Sequence, residues 1–173
     1  MNFSEQCFRI FEQATEAYHV TDNVDATVHN PYAVKSIEFY LYLKNWIDAV
    51  QWHLEDIIRN PEIDPVEALA IKRRIDKSNQ DRTDLVELID SFFLDKYKNV
   101  KVLPDATINT ESPAWAIDRL SILTLKIYHM REEALPSIRL VVSRSWPSCW
   151  NRRRICRWLW INCYPISVTV RNT

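Results

Sequence analysis

Two histidines are each followed, three residues later, by a carboxylate: His53 by Asp56, and His129 by Glu132. Residues three apart on a helix share a face, so each pattern places an imidazole nitrogen beside a carboxylate oxygen. Helical bundles hold divalent metals with such pairs, although there the order is Glu-x-x-His and two further helical Glu ligands take part. A histidine on an apolar face is more often a hydrogen-bonded core residue. The pattern leaves a divalent metal cofactor and a structural role open.

A second set of candidate metal ligands consists of acids on the second and third predicted helices. These are Glu55, Asp56, Glu87 and Asp90. They look like the paired acids with which all-helical nucleoside triphosphate pyrophosphohydrolases hold Mg²⁺, a cation that bridges phosphate oxygens and activates water. The first pair departs from the expected Glu-x-x-Glu form, because Trp52 and Arg59 stand at the flanking positions. Acids on amphipathic helices are mostly solvated, so a Mg²⁺- or Mn²⁺-dependent phosphohydrolase is the alternative hypothesis.

Polar residues also interrupt the apolar faces in the middle of three predicted helices. They are Asp48, His53, Asp76, Asn79, Arg82, Asp118, Arg119 and His129. Buried charges need partners, so we expect these residues to converge. One interpretation is a salt-bridge network that fixes the register of the helices. The other is a polar central cleft, in which Arg82 and Arg119 bind a phosphate or carboxylate while the two histidines transfer protons.

Apolar residues that recur every three or four positions predict the helices that carry these side chains. The predicted helices cover about residues 3–20, 36–60 and 64–97, with a fourth that begins at Ser112-Pro113. Ser36 and Asp64 are expected N-caps, and Asn60-Pro61 is expected to end the second helix. Long helices with short connections predict an all-α fold, an antiparallel bundle of about four helices.

Two local features of these helices leave a choice. Lys77–Asp84 is either a break in the third helix or a polar layer within it, and the spacing favours the layer. Trp46 and Trp115 fall at core positions of their helices, whereas Trp52 lies off the main apolar stripe. We therefore expect Trp52 to be the aromatic that faces a partner.

The composition excludes several large enzyme classes. The 173 residues contain no glycine. Rossmann fingerprints, P-loops and nucleophile elbows all require glycine, so none of them is present. The formal net charge of -1 argues against a general nucleic-acid binder, and we expect no transmembrane segment and a cytoplasmic location.

The composition changes abruptly near the C-terminus. Residues 137–173 contain no Asp, Glu or Lys, but seven Arg, four Trp and three Cys, whereas the preceding residues hold 15 basic against 23 acidic side chains. A reading frame one base earlier turns Trp150-Asn151 into a Glu codon and Trp160-Ile161 into an Asp codon, and with plausible synonymous codons it encodes an amphipathic, leucine-rich helix. We therefore expect a helical domain at 1–134 and an irregular tail at 135–173 that a frameshift has put out of frame. The alternative is a genuine tail that binds membrane or RNA.

Three stretches of the body carry a family resemblance. They are Asn45–Pro61, Arg73–Asp84 and Ser112–Ser121. In these stretches the chain resembles a bacterial family of helical proteins that is known only as a domain of unknown function, numbered 4254, over about residues 1–134. In that family the fourth helix is followed by a charged loop and a Lys/Leu-rich helix, which the shifted frame resembles. The resemblance implies no activity, cofactor or catalytic residue.

These observations favour an accessory or interaction protein with a polar central cleft. Its partner is either another protein or a second copy of the chain, because the loss of a bundle helix would expose an apolar face. The body has an excess of acids, which argues against nucleic acid as its partner. The phosphohydrolase and the tail-mediated binder are the two alternatives.

Overall fold

A computed structural model describes residues 2–103 and 105–133, which form four helices. They are α1 (Phe3–Thr21), α2 (Ile37–Ile58), α3 (Pro65–Tyr97) and α4 (Pro113–Glu133). The described residues contain no strand, which confirms the all-α prediction. The predicted tail and the leucine-rich helix of the shifted frame lie outside the described residues.

Side-chain caps set where the helices begin. Asn2 and Glu5 form a capping box at the start of α1, and Ser36 accepts a hydrogen bond from the backbone N–H of Phe39 at the start of α2. Asp64 accepts from two backbone N–H groups ahead of α3. Each cap satisfies backbone donors that the first turn leaves without partners, and its loss typically costs about 1 kcal/mol. The caps predicted at Ser36 and Asp64 are confirmed.

Helix α3 is continuous over 33 residues, so its polar middle is a layer rather than a break. Ser78 is buried within this layer, and Arg82 reaches from it to α2 and α4. The apolar residues on either side of the layer keep the helix packed. Towards its N-terminus Ile71 and Ile75 contact Leu54 of α2. Helix α3 therefore contacts α2 through both apolar and polar side chains.

The main core lies between α1, α2 and α4, with the second half of α3 against it. Its wholly buried side chains include Phe11 and Tyr18 of α1, Leu41 of α2 and Leu125 of α4. Burying one large apolar side chain contributes about 1.5–3 kcal/mol, so this core is the main source of stability. The core also fixes the distances between the polar side chains that lie among these helices.

The prediction that Trp115 is a core residue was wrong, because its side chain is 52% exposed. Helix α4 instead buries a face of smaller residues. They are Ala114, Ile117, Leu120, Ser121, Thr124, Leu125 and Ile127. Leu69 of α3 is 52% exposed as well. Trp46 is buried, as predicted. No described helix is both long and apolar enough to cross a membrane.

Candidate functional site

A wholly buried lysine lies at the centre of the bundle. Lys44 Nζ of α2 is 2.5 Å from Asp48 Oδ2, one turn further along the same helix, and 2.7 Å from Asp118 Oδ1 of α4. A buried ammonium group requires such partners, since the desolvation of a lone charge costs several kcal/mol, on the order of a domain's net stability. The contact therefore joins α2 to α4 by charge as well as by apolar packing.

Arg82 of α3 completes this ionic network. Its Nε lies 2.7 Å from Asp48 Oδ1, as an ion pair that is not aligned as a hydrogen bond, and its Nη2 lies 3.2 Å from Asp118 Oδ1. Two cations thus face two carboxylates, and the formal charges cancel. Burial alone would raise the pKa of Asp118, but the charges of Lys44 and Arg82 outweigh it and hold that pKa below its usual value.

Neutral hydrogen bonds extend the ionic network to α1. Ser121 Oγ donates to Asp48 Oδ2 at 2.6 Å, and Asn45 Nδ2 donates to Ser121 Oγ at 3.0 Å. Thr15 Oγ1 donates in turn to Asn45 Oδ1 at 2.8 Å. All four of these residues are buried. The network therefore contains side chains from every described helix and specifies how the helices are aligned along their axes.

A small cleft opens beside the ionic network, between α2, α3 and α4. Its volume is about 170 Å³, and its lining residues are Asp48, Gln51, Trp52, Glu55, Arg59, Arg82 and Ile122. Gln51 accepts a hydrogen bond from Ser78 and donates one to Asn79, which ties the wall of the cleft to α3. The cations and carboxylates of the lining balance, so the cleft has no excess of either charge.

Three histidines from three helices meet at a second position. His19 of α1, His53 of α2 and His129 of α4 each offer a ring nitrogen, and these nitrogens all lie within 4.8 Å of one another. His19 Nδ1 lies 2.7 Å from the carbonyl oxygen of Thr15, and His53 Nδ1 lies 2.9 Å from that of Ala49. A carbonyl oxygen only accepts, so both Nδ1 atoms are donors. In the neutral rings the lone pair is then on Nε2.

Aromatic rings and one carboxylate surround this histidine cluster. Trp52 stacks on His129 with 4.8 Å between ring centroids, and Tyr128 lies 4.1 Å from the ring of His19. Asp22, which ends α1 in a left-handed conformation, has Oδ1 3.1 Å from His53 Nε2. Burial lowers the pKa of His19, although its hydrogen bond to Thr15 opposes this shift. Trp52 also lines the cleft, so the histidine cluster and the cleft are neighbours.

The residues of the predicted polar layer occupy several different positions. Asp48, Arg82 and Asp118 converge in the ionic network, and Asn79 lies at its edge, 3.4 Å from Arg82. His53 and His129 belong to the histidine cluster instead.

The other two members of that layer lie on the surface. Asp76 is exposed and pairs with Lys72, while Arg119 pairs with Glu111. Among the described ion pairs, none connects Arg119 or Asp76 to the ionic network that contains Arg82.

The four acids of the phosphohydrolase hypothesis also have separate surroundings. Glu55 lines the cleft, and Asp56 pairs with Arg59 at 2.8 Å on the surface. Glu87 is exposed, whereas Asp90 accepts the backbone N–H of Ala114 at 3.0 Å and so caps α4. Within residues 2–103 and 105–133, the only group of three or more side chains that could hold a metal is the histidine cluster.

Sequence reasoning missed several members of both sites. Lys44 is four residues before Asp48, a spacing that signals a helical ion pair. His19 follows Tyr18 at the end of the apolar face of α1, and nothing in its local sequence distinguishes it from a surface histidine. Thr15, Asn45 and Ser121 are uncharged, and small polar residues on an apolar face give no signal of a shared hydrogen-bond chain.

One sequence comparison identifies a family for this chain. The model of a family described as "Protein of unknown function (DUF4254)" matches residues 38–137, more than half of the chain. The chain belongs to this family. The part that matches the DUF4254 family contains every charged residue of the ionic network and two histidines of the cluster, whereas α1, with His19, precedes it. No curated protein and no solved structure matches the chain.

Proposed function

We propose that this member of the DUF4254 family is an accessory or interaction protein that binds a second copy of its own chain. The observation that supports this role is a run of exposed apolar side chains from the end of α3 to the start of α4. They are Leu88, Leu94, Tyr97, Val100, Val102, Leu103, Ile108 and Trp115, and we refer to them as the apolar surface. Scattered exposed apolar residues are ordinary, but successive ones, with aromatics among them, are typical of interfaces.

The apolar surface has side chains of the size that anchor protein interfaces. Leu94 is 74% exposed, Val102 84% and Ile108 99%. The hydrogen bond between Ala114 N–H and Asp90 places the start of α4, and with it Trp115, beside α3. Trp is the residue most enriched among those that dominate binding energy. Trp115, rather than the predicted Trp52, is the better candidate for an aromatic that faces a partner.

Charges of both signs flank the apolar surface, which favours a second copy as the partner. Lys96, Lys98 and Lys101 lie along the same segment as Asp95 and Asp105. In a two-fold symmetric dimer a surface contacts itself, so it must carry both signs to be self-complementary. A partner of different sequence would more often be matched by a surface of one sign.

The polar central cleft has a supporting role in this proposal. Its volume of about 170 Å³ is below the roughly 300–1,000 Å³ of most small-molecule sites. Two of the charges that line it, Asp48 and Arg82, are paired with one another, so the ionic network fixes the helices in register. Neither the cleft nor the separated acids favour a phosphohydrolase over this role.

The experiment is sedimentation velocity of the full chain over a range of concentrations. We expect a monomer–dimer equilibrium that is weakened at least tenfold in the double variant Leu94→Ser, Trp115→Ser. The matched control is Val34→Ser, since Val34 is also 74% exposed but lies between α1 and α2. A monomer at all concentrations, or association that the double variant leaves intact, would contradict the proposal. The second result would assign association to another part of the chain, including residues 135–173.

A further inference from the structure

We propose that His19, His53 and His129 form a binding site for a divalent cation of the zinc type. Three helices that are distant in sequence each contribute one imidazole, and the ring nitrogens lie within 4.8 Å of one another. Tetrahedral zinc with Zn–N bonds of about 2.0–2.1 Å needs its ligand nitrogens about 3.3 Å apart. The widest separation would therefore have to shorten by about 1.5 Å for one tetrahedral ion to bind all three nitrogens.

The hydrogen bonds of two rings match those of metal-bound histidines. A metal-ligating histidine almost always donates its other ring N–H to a carbonyl, a carboxylate or water. His19 and His53 both donate Nδ1–H to the carbonyl oxygen four residues earlier, on Thr15 and Ala49. This arrangement fixes the ring orientation and leaves each Nε2 with a lone pair, which is the donor that a metal requires.

Two buried polar atoms at the histidine cluster have no hydrogen-bond partner among the described residues. They are His19 Nε2 and Tyr18 Oη. The rings of His19 and His53 both lie 5.1 Å from the ring of Tyr18, so Tyr18 packs against the histidine cluster. A buried polar atom without a partner is costly and requires an explanation. A cation bound by His19 Nε2, with a coordinated water that Tyr18 could contact, provides one.

Asp22 supplies the negative charge that such a cation needs. Its Oδ1 is 3.1 Å from His53 Nε2. Because His53 already donates through Nδ1, its Nε2 lone pair would face a carboxylate, a contact between two acceptors that either a proton or a metal ion on Nε2 makes favourable. A divalent cation satisfies both. Asp22 would then be a fourth ligand or would orient a bound water.

The donor set determines the class of metal. Three imidazoles and one carboxylate suit Zn²⁺, Co²⁺, Ni²⁺ or Cu²⁺, whereas Mg²⁺ and Ca²⁺ prefer oxygen ligands. The side chain of His53 is 23% exposed, which gives a cation a route from solvent. This site stands apart from the proposed apolar surface, so either proposal can fail without the other.

Co²⁺ titration of the metal-free full chain tests the site, because the cobalt spectrum reports the ligands. We expect one Co²⁺ per chain, visible bands of a tetrahedral ion and no thiolate-to-metal absorption. The absence of thiolate-to-metal absorption would distinguish binding at the histidine cluster from binding at Cys149, Cys156 and Cys163 of the tail. Zn²⁺ should displace the Co²⁺ and raise the melting temperature.

Three variants locate the binding. His53→Ala should weaken Co²⁺ binding at least 100-fold. If circular dichroism shows that His53→Ala lowers the helix content, His129→Ala replaces it as the test variant and should weaken binding by the same factor. The matched control is His29→Ala, because His29 is the remaining histidine of the four and lies on an exposed loop. The proposal is overturned by an absence of Co²⁺ binding, by a thiolate spectrum, or by binding that is equal in the His53 and His29 variants.

Discussion

Lys44 Nζ lies 2.7 Å from Asp118 Oδ1, and this contact joins α2 to α4 through a wholly buried side chain. The same lysine pairs with Asp48, and both carboxylates also pair with Arg82 of α3. Buried ion pairs therefore connect α2, α3 and α4, the helices that lie in the part of the chain that matches the family. These charged groups have few alternative partners. Sliding any one helix by a turn would leave a buried charge without a counter-ion.

Replacing Lys44 with Met should destabilise the protein strongly. The methionine has a similar volume but leaves Asp48 and Asp118 with Arg82 as their only cation in the described network, and breaking a buried pair typically costs about 3–5 kcal/mol. The matched control is Lys77→Met, since Lys77 forms the same i,i+4 pair with Asp81 on the surface and should cost about 0–1 kcal/mol. Urea unfolding followed by circular dichroism measures both. Equal losses would contradict a central role of the network.

Acid should unfold the protein in part through Asp118. Its pKa is lower in the folded chain than in the unfolded chain, so the unfolded state takes up more protons as the pH falls below about 4, near the ordinary value for Asp. The stabilisation is present above that pH and is lost as the pH falls towards the lower, folded value. The urea midpoint should therefore drop as the pH falls below about 4. In Asp118→Asn this drop should be shallower, and parallel curves for the two proteins would show that Asp118 does not contribute.

Mg²⁺ should leave the melting temperature unchanged, because the four acids of the phosphohydrolase hypothesis have separate surroundings. A cation that binds only the folded state at 100 times its Kd would add about 2.7 kcal/mol. Thermal unfolding with and without millimolar Mg²⁺ measures this. A Mg²⁺-dependent rise that is lost in Glu87→Gln would revive the phosphohydrolase, since Glu87 is exposed and its replacement should not disturb the fold.

Sequencing the gene across the codons for residues 131–151 should reveal a one-base slip. The family match ends at residue 137, shortly after the last acid of the sequence, Glu133, and the last lysine, Lys126. The corrected frame should then read Leu-Leu-Glu in place of residues 148–151. An unaltered frame would instead favour a genuine Arg- and Trp-rich tail, and binding to anionic vesicles or RNA should then be lost when residues 135–173 are deleted.

The fold could be predicted because its determinants are local. Ser36 and Asp64 cap their helices with their own side chains, and the apolar period of α1 and α2 identifies their buried faces. The same reasoning failed for Trp115, because α4 has apolar residues on more than one face and periodicity alone could not select the buried one. Ala114 is buried where its backbone N–H binds Asp90, whereas the adjacent Trp115 is exposed.

The candidate sites were predicted only in part because their members are distant in the chain. Asp48 and Asp118 were identified as polar residues on apolar faces, but Lys44 lies between them, and only the packing of α2 on α4 shows this. His53 and His129 were singled out without His19, which is 34 residues before His53. Spacing within one helix therefore indicates which residues share a face, but not which helices those faces meet.

Hydrogen–deuterium exchange at low and high protein concentration tests the proposed role most directly. Residues 98–103 and 105–112 lie outside the helices, so their amides, apart from the hydrogen-bonded ones of Val100 and Ala106, exchange fast unless a partner covers them. We predict that exchange in these residues slows at high concentration, while the connection between α1 and α2 is unaffected, and that Leu94→Ser, Trp115→Ser abolishes the slowing. Exchange that is independent of concentration, or slowing confined to other residues, would contradict self-association through the apolar surface.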